Sequence, residues 1–440
     1  MPGVAAAEQK SGDLPRTLGL ADALSIVVGI VIGGGIFLVP NLVAQNLSTR
    51  GSILAVWIVA GVASFFGALA CAELGTALPS TGGQYVWLRE IYSPMTGFLY
   101  GWTMFLVART AQVAWLAVTL SLYVSYFVPL GAAASRALSI VAILILAAIN
   151  YRGVSMGALV QKSFTSAKVV GLLIIIGSAF LFRGTAPTAA STGVPFSFSH
   201  FGIALIACVL SYDGWVQVSD VAGEVKNPSR NILLALAGGL AICIAIYLLA
   251  NLAYLHVMSI AEIAASSHVG ATAAERVLGP AGGSFVAVII LLSIIGTLNG
   301  CFITSPRVYF AQAHDRLFFS KFAEVHPRFR TPAFAIVAQA MWSIVLVLSG
   351  TYETLISYAM IAFWSFYGLM VLGVMLLRRQ RPDLARPYKM WGYPVTPILF
   401  LLVTVAFVGN TLVTQPVPSL TAFGLVALGI PAYFFWRRKA

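Results

Sequence analysis

The sequence predicts an all-α polytopic membrane protein with twelve transmembrane helices, and three observations carry that prediction. Of 440 residues, 59% are hydrophobic and only 9% charged, where a soluble domain carries about 25% charged residues. Apolar runs in the size class of about 20 residues that crosses a bilayer as a helix recur from end to end. The cations are also unevenly divided. With the N-terminus inside and an even number of spans, twenty of the 26 Lys and Arg fall in cytoplasmic segments. Arg50, Arg136, Arg183 and Arg276 fall outside, and Arg109 and Lys168 lie within spans. This positive-inside bias explains the net charge of +12 without a nucleic-acid partner. It places both termini on the cytoplasmic face of a plasma (inner) membrane.

Residues 1–17 are polar and lack an apolar core before a cleavage site, so they read as a cytoplasmic tail and not a signal peptide. The spans then follow as Leu20–Val43, Ser52–Leu78, Met95–Val128, Ala137–Tyr151 and Ala158–Phe182. After a loop come Phe201–Gly223, Asn231–Val257, Gly283–Ala313, Ala333–Ser349 and Leu355–Leu377, and finally Val395–Val413 and Leu420–Trp436. Barrel strands alternate polar and apolar residues and leave no continuous apolar runs, so these are helices. The third is long enough that it must tilt or protrude. The four cysteines, Cys71, Cys208, Cys243 and Cys301, all lie in spans without CxxC spacing, which argues against a disulfide framework or a metal site. The five histidines are scattered near loops, and no cofactor is expected.

Two spans are interrupted. The first reads Val31-Ile32-Gly33-Gly34-Gly35-Ile36, and three consecutive glycines hold a membrane helix poorly. Irregular backbone at membrane depth survives where it lines a cavity or is buried in protein. An unwound helix there presents free N–H groups and a positive dipole end, suited to a carboxylate. The competing reading is that the glycines only permit close helix packing. The sixth span carries Leu210-Ser211-Tyr212-Asp213-Gly214-Trp215 near its middle. Interruptions in corresponding halves point to the midplane site of a transporter. Asp213 costs about 3 kcal/mol at the bilayer centre. It either receives an ammonium group or caps the broken helix.

Several motifs, in order, resemble the amino acid, polyamine and organocation superfamily, and within it the L-type amino acid transporters and their bacterial relatives. They are Glu73-Leu74-Gly75 with Pro79 and Gly82-Gly83-Gln84-Tyr85, then Tyr212-Asp213-Gly214-Trp215 with Gly223-Glu224 and Asn227-Pro228-Ser229-Arg230. Leu298-Asn299-Gly300, Ser305-Pro306-Arg307, His326-Pro327 and Thr331-Pro332 follow. The resemblance implies a five-plus-five inverted-repeat core, residues 18–182 and 201–377, with discontinuous helices one and six. Two peripheral helices, residues 395–437, complete the chain. It implies that Gly33, Gly34 and Gly35 meet a substrate carboxylate. The carbonyl of Val31, with those of the Leu210, Ser211 and Asp213 stretch, would meet its α-amine. Leu210 stands where many relatives place an aromatic lid.

Lys168 lies inside the fifth span. Either it snorkels to an interface, or, as the resemblance implies, it faces helices one and eight where sodium-coupled members bind a cation. A fixed ammonium there would replace Na⁺, or would instead exchange a proton. Arg109, in Arg109-Thr110-Ala111-Gln112, resembles an L-type motif and is expected to hold the scaffold or inner gate by pairing with an acid or backbone carbonyls. Glu73, Asp220 and Glu224 are the candidate acids, and Glu224 with Arg230 is an alternative solvated pair. Trp215, Phe363 and Trp364 are candidates to line the site.

Together these features imply a sodium-independent carrier of neutral L-amino acids that works by alternating access as an exchanger. Proton-coupled uptake of amino acids or polyamines through Lys168 or Asp213 is the alternative. A channel would need a pore ring or filter, and an enzyme would need clustered acid, base or metal residues; neither pattern is present. Animal relatives bind a heavy chain through a cysteine in the loop after span three. Pro129–Arg136 has none, so no disulfide-linked heavy chain is expected.

Overall fold

The computed structural model describes residues 14–182 and 193–438. Residues 1–13 of the expected tail, Arg183 and the last two residues lie outside that set. The first span is two helices, α1 (Leu20–Val31) and α2 (Gly35–Asn46), bent by 41° at the glycines. The second is α3 (Arg50–Ala77), followed by a short amphipathic α4 (Gln84–Ile91) in the loop. The third comprises α5 (Pro94–Thr103), a π-helical turn over Met104–Ala108, and α6 (Arg109–Val124). Spans four and five are α7 (Ala132–Tyr151) and α8 (Val154–Leu181). The sixth begins as α9 (Phe198–Ser211), breaks at Tyr212–Gly214 and continues as a 3-10 stretch, Trp215–Glu224. Then come α10 (Pro228–Val257), the short α11 (Ile260–Ala265) and α12 (Val269–Leu278), and α13 (Ala281–His314). The chain ends with α14 (Ala333–Ser349), α15 (Tyr352–Gln380), α16 (Val395–Thr414), and the pair α17 (Pro416–Ala427) and α18 (Gly429–Arg437) that forms one span.

Among the described residues, ten helical segments are long and apolar enough to cross a membrane, and the bent α1–α2 pair makes eleven. The twelfth expected span, α14, has 17 residues. At 1.5 Å per residue it reaches about 26 Å, slightly short of a hydrocarbon core of about 30 Å, so it must stand nearly upright or thin the bilayer. The protein is thus a multi-pass membrane protein.

Local chemistry sets the element ends. The Ser93 hydroxyl accepts from the Thr96 amide at 3.2 Å, with Pro94 at the first helical position of α5. Ser197 caps α9 in the same way. Ser259 and Glu262 form a reciprocal capping box that starts α11. Hydrogen bonds from Arg276 and the Ser259 amide hold the Glu262 carboxyl down at about 2, so this loop keeps its ion pair well below neutral pH.

The first span is the centre of the bundle. Helix α1 packs against α8, α10, α13 and the 3-10 stretch of span six, while α2 packs against α9, α11 and α12. The halves of the two broken spans therefore pair crosswise, first half with second. Helix α13 is 78% buried over its apolar window, whereas α16 and the α17–α18 span are only 28% and 22% buried. The last two spans are peripheral, as the resemblance implies, and α7 is also only 22% buried.

Candidate functional site

The break in span one leaves polar backbone at the middle of the bundle. The Gly33 amide reaches back to the Val31 carbonyl at 2.8 Å, and helical bonding resumes only with Phe37 bonding Gly34 at 3.1 Å. The first-turn amides of α2 are those that a helix leaves without internal partners. A Cβ built on Gly33 or Gly34 would meet nothing within 4 Å, whereas one on Gly35 would come within 2.7 Å of Ser211 Oγ. Close packing therefore explains Gly35, where the two breaks touch. It does not explain Gly33 and Gly34, which border open space.

The break in span six faces it. Gly214 sits at φ +110° against Ile30, whose Cγ2 would lie 2.5 Å from an added Cβ; both the conformation and the approach require glycine. Leu210 is half-buried and Ser211 buried at this junction. The Tyr247 hydroxyl of α10 ties the breaks together, lying 2.8 Å from the Val31 carbonyl and 3.0 Å from the Ser211 carbonyl. The Val31 oxygen proposed for an amine thus faces two donors, the Gly33 amide and the Tyr247 hydroxyl. The hydroxyl has a single proton, so when it donates to the Ser211 carbonyl instead, one Val31 lone pair is left for an ammonium.

Lys168 is fully buried and does not snorkel. From α8 its ammonium donates to the Gly29 and Ile32 carbonyls at 2.7 and 2.8 Å and approaches the Ser293 carbonyl and hydroxyl at 3.3 Å. Ser293 Oγ also donates to the Ile32 carbonyl at 2.7 Å, and Thr297 Oγ1 to that of Gly29 at 3.2 Å. An ammonium and two hydroxyls therefore satisfy the carbonyls that the ending α1 helix leaves open. Behind them, Gln161 and Thr165 donate to the Ser25 carbonyl, Asn299 donates to Gln161, and Asn150 donates to Asn299. This chain of bonds fixes α1 against α8 and α13.

Arg109 follows the π-helical turn of span three, an interruption that often marks functional positions. The structure corrects its expected pairing. Glu73 binds Arg378 at 2.6 Å and the Met390 amide at 2.7 Å, on α15 and the segment after it. Glu224 binds Arg307 through two hydrogen bonds of 2.7 and 3.1 Å, with exposures of 0% and 1%. The alternative Glu224–Arg230 solvated pair is likewise overturned, because Arg307 on α13 reaches Glu224 inside the bundle. The Arg109 guanidinium instead lies over the Phe363 ring, 4.6 Å from its centroid, and donates to Gln112 at 3.0 Å. Among the described residues its Nε and Nη2, together with Asp213 Oδ1 and Asp220 Oδ2, lack a hydrogen-bond partner of good geometry. Both acids lie within electrostatic reach of Arg109. Buried polar atoms left open in this way are the lining expected of a hydrated interior.

Two aromatic candidates do not line the breaks. Trp215 lies tilted against Tyr367 and meets Phe400 and Gly67. Trp364 stacks on Phe400 and lies tilted against Phe407 of α16. Both anchor α16 to the core, a scaffold role, since large rings fill the wide gap at a peripheral helix. Phe363 faces the interior beneath Arg109. Sequence reasoning missed Tyr247, Ser293 and Thr297. The last two carry a readable signal, since they are polar residues spaced i, i+4 on one face of an apolar span.

At one end of the bundle, α4 and α13 meet through Arg89 and Tyr85 on Asp315. The Glu73–Arg378 bond closes α3 onto α15 there. Leu18 pairs beside Val225, with its amide 3.0 Å from the Glu224 carbonyl, so the segment before α1 is stitched to the end of span six.

Two interrupted spans whose breaks meet inside a helical bundle, one held by a buried ammonium, have the architecture of a secondary transporter. The chain belongs to the amino acid permease family, which matches residues 18–432. It is 32% identical to the serine/threonine exchanger SteT of Bacillus subtilis, covering 97% of this chain and 98% of that protein. The human b(0,+)-type amino acid transporter 1 is 32% identical over 93% of this chain and 85% of its own length. The human cystine/glutamate transporter is 30% identical over 98% and 88%. The resemblance read from the motifs is to this same group.

Proposed function

We propose that the protein is a sodium-independent exchanger of small neutral L-amino acids, residing in a plasma (inner) membrane with both termini in the cytoplasm. The observation that carries the reading is the Lys168 ammonium on the Gly29 and Ile32 carbonyls. A fixed positive charge among backbone and hydroxyl oxygens does the work of a bound monovalent cation, holding the broken helix in shape. Substrate then binds beside it. The carboxylate meets the backbone at Gly33, Gly34 and Gly35, where the dipole of α2 is positive; the Gly33 amide must give up its bond to the Val31 carbonyl to take part. The α-amine meets the carbonyls of Val31 and the Leu210–Asp213 turn. Asp213 closes that turn, and Leu210 covers the substrate side chain.

The crosswise pairing of the two broken spans supports an inverted-repeat core of residues 18–182 and 201–377, in which one half rocks against the other. The salt bridges gathered at the end that bears Asp315, Glu73 and Glu224 support assigning that end to the cytoplasm and reading it as closed. The four cysteines are buried free thiols, which supports a carrier that works without a disulfide-linked heavy chain.

The relatives' names supply the test substrate. In proteoliposomes, labelled L-serine uptake is expected to require unlabelled amino acid inside and to be the same in Na⁺ and choline buffers. Uptake into empty vesicles driven by a proton gradient would identify a proton symporter and overturn the exchanger.

A further inference from the structure

A cavity of about 540 Å³ lies against the first turn of α2, on the far side of Phe37 and Leu38 from α9, between α6, α12 and α13. That volume is ordinary for a small-molecule site. Its walls are apolar and aromatic, including Phe37, Tyr126 and Ile290, and α12 supplies the polar groups His268, Thr272 and Glu275. Gly283 lets the Glu275 carboxylate lie close against α13. A Cβ on Gly283 would stand 2.2 Å from Glu275 Oε1 and 3.2 Å from the Tyr126 hydroxyl. The neighbouring Arg276 is committed to Glu262 at 2.6 Å. Glu275 is exposed and among the described residues has no ion pair, so its carboxylate is available to a ligand in the cavity.

We propose that this cavity is a second ligand site, distinct from the transport site, that takes an apolar primary amine. An ammonium head fits Glu275, aromatic faces beside it favour a cation, and the remaining wall accepts a hydrocarbon or aryl body. The site has no counterpart to the free amides of the glycine break, and Glu275 repels a carboxylate; an amine lacking one is selected here and rejected there. Helix α12 packs on both α2 and α13, and the cavity separates α2, the moving half of the broken span, from α6 and α13. An occupant wedged there stops α2 from changing its place against α13 and inhibits turnover.

Phenethylamine is the probe. Equilibrium dialysis against purified protein in detergent is expected to show one labelled amine bound, not displaced by L-serine, with affinity falling about tenfold or more in Glu275→Gln, since one lost charge contact of about 1.4 kcal/mol is a factor of ten. Gly283→Leu, which fills the cavity, should abolish binding. In proteoliposomes the amine should lower the maximal rate of serine exchange without changing KM, and Glu275→Gln should exchange at the wild-type rate but resist inhibition. Absence of binding, displacement by serine, or binding untouched by both substitutions would overturn the proposal. The inhibition arm rests on the exchanger reading. The dialysis arm does not, so a protein that fails to move serine still decides the amine site.

Discussion

Changing Lys168 to methionine is expected to lower serine exchange by about a hundredfold or more while leaving the protein folded. Methionine is close in length to the lysine stem, so packing among α1, α8 and α13 is retained and only the charge is lost. Hydrogen bonds from a charged donor contribute about 1.5–3 kcal/mol each, and Lys168 makes two short ones, to Gly29 and Ile32. Losing about 3 kcal/mol of hold on the active shape of the break corresponds to about a factor of a hundred in rate. The fold survives because Thr297 and Ser293 still donate to the same two carbonyls, so neither becomes a buried orphan. Initial exchange rates normalised to protein, with size-exclusion profiles as the folding control, decide the matter. Rates equal to wild type would remove Lys168 from the mechanism.

The second large effect is on stability. Glu224 and Arg307 are both buried and doubly hydrogen-bonded, joining the 3-10 end of span six to α13. Removing one member of such a pair leaves the other charge without compensation, which costs about 3–5 kcal/mol. Glu224→Gln and Arg307→Met should each lower the thermal unfolding midpoint in detergent markedly. The double variant should recover much of that loss, because it removes both charges together. If either single variant melts with the wild type, the pair is not what holds these segments.

Much of the architecture was legible in the sequence because a bilayer imposes a strong length rule. The span ends read from apolar runs lie within a few residues of the helices found, and the Ala333–Ser349 span has the same ends in both. The glycine break was legible for a related reason, since few residues leave a membrane helix unwound. What escaped was short or lateral. Helices α4, α11 and α12 are amphipathic pieces of eight, six and ten residues, too short and too polar for a span criterion. The π-helical turn before Arg109 leaves no mark in composition. Ion-pair partners were misread because Glu224 is near Arg230 along the chain, while Arg307, 83 residues away, is near it in space. Tyr247 was invisible as a site residue because one aromatic in an apolar span reads as packing, and only the two breaks meeting at its hydroxyl give it a role.

The central claim is that an amino acid is held at both ends of its backbone, carboxylate at the glycine break and α-amine at the paired carbonyls. Displacement of labelled L-serine from the purified protein tests it directly, using unlabelled L-serine, L-serine amide and 3-hydroxypropanoate. The amide lacks the carboxylate and 3-hydroxypropanoate lacks the amine, while both keep the hydroxyl. Serine should displace the label and each analogue should be weaker by about a hundredfold or more, since each loses a charge-assisted contact of about 3 kcal/mol. An amide that competes as well as serine itself would show that the glycine break does not bind a carboxylate, and the account would fail at its starting point.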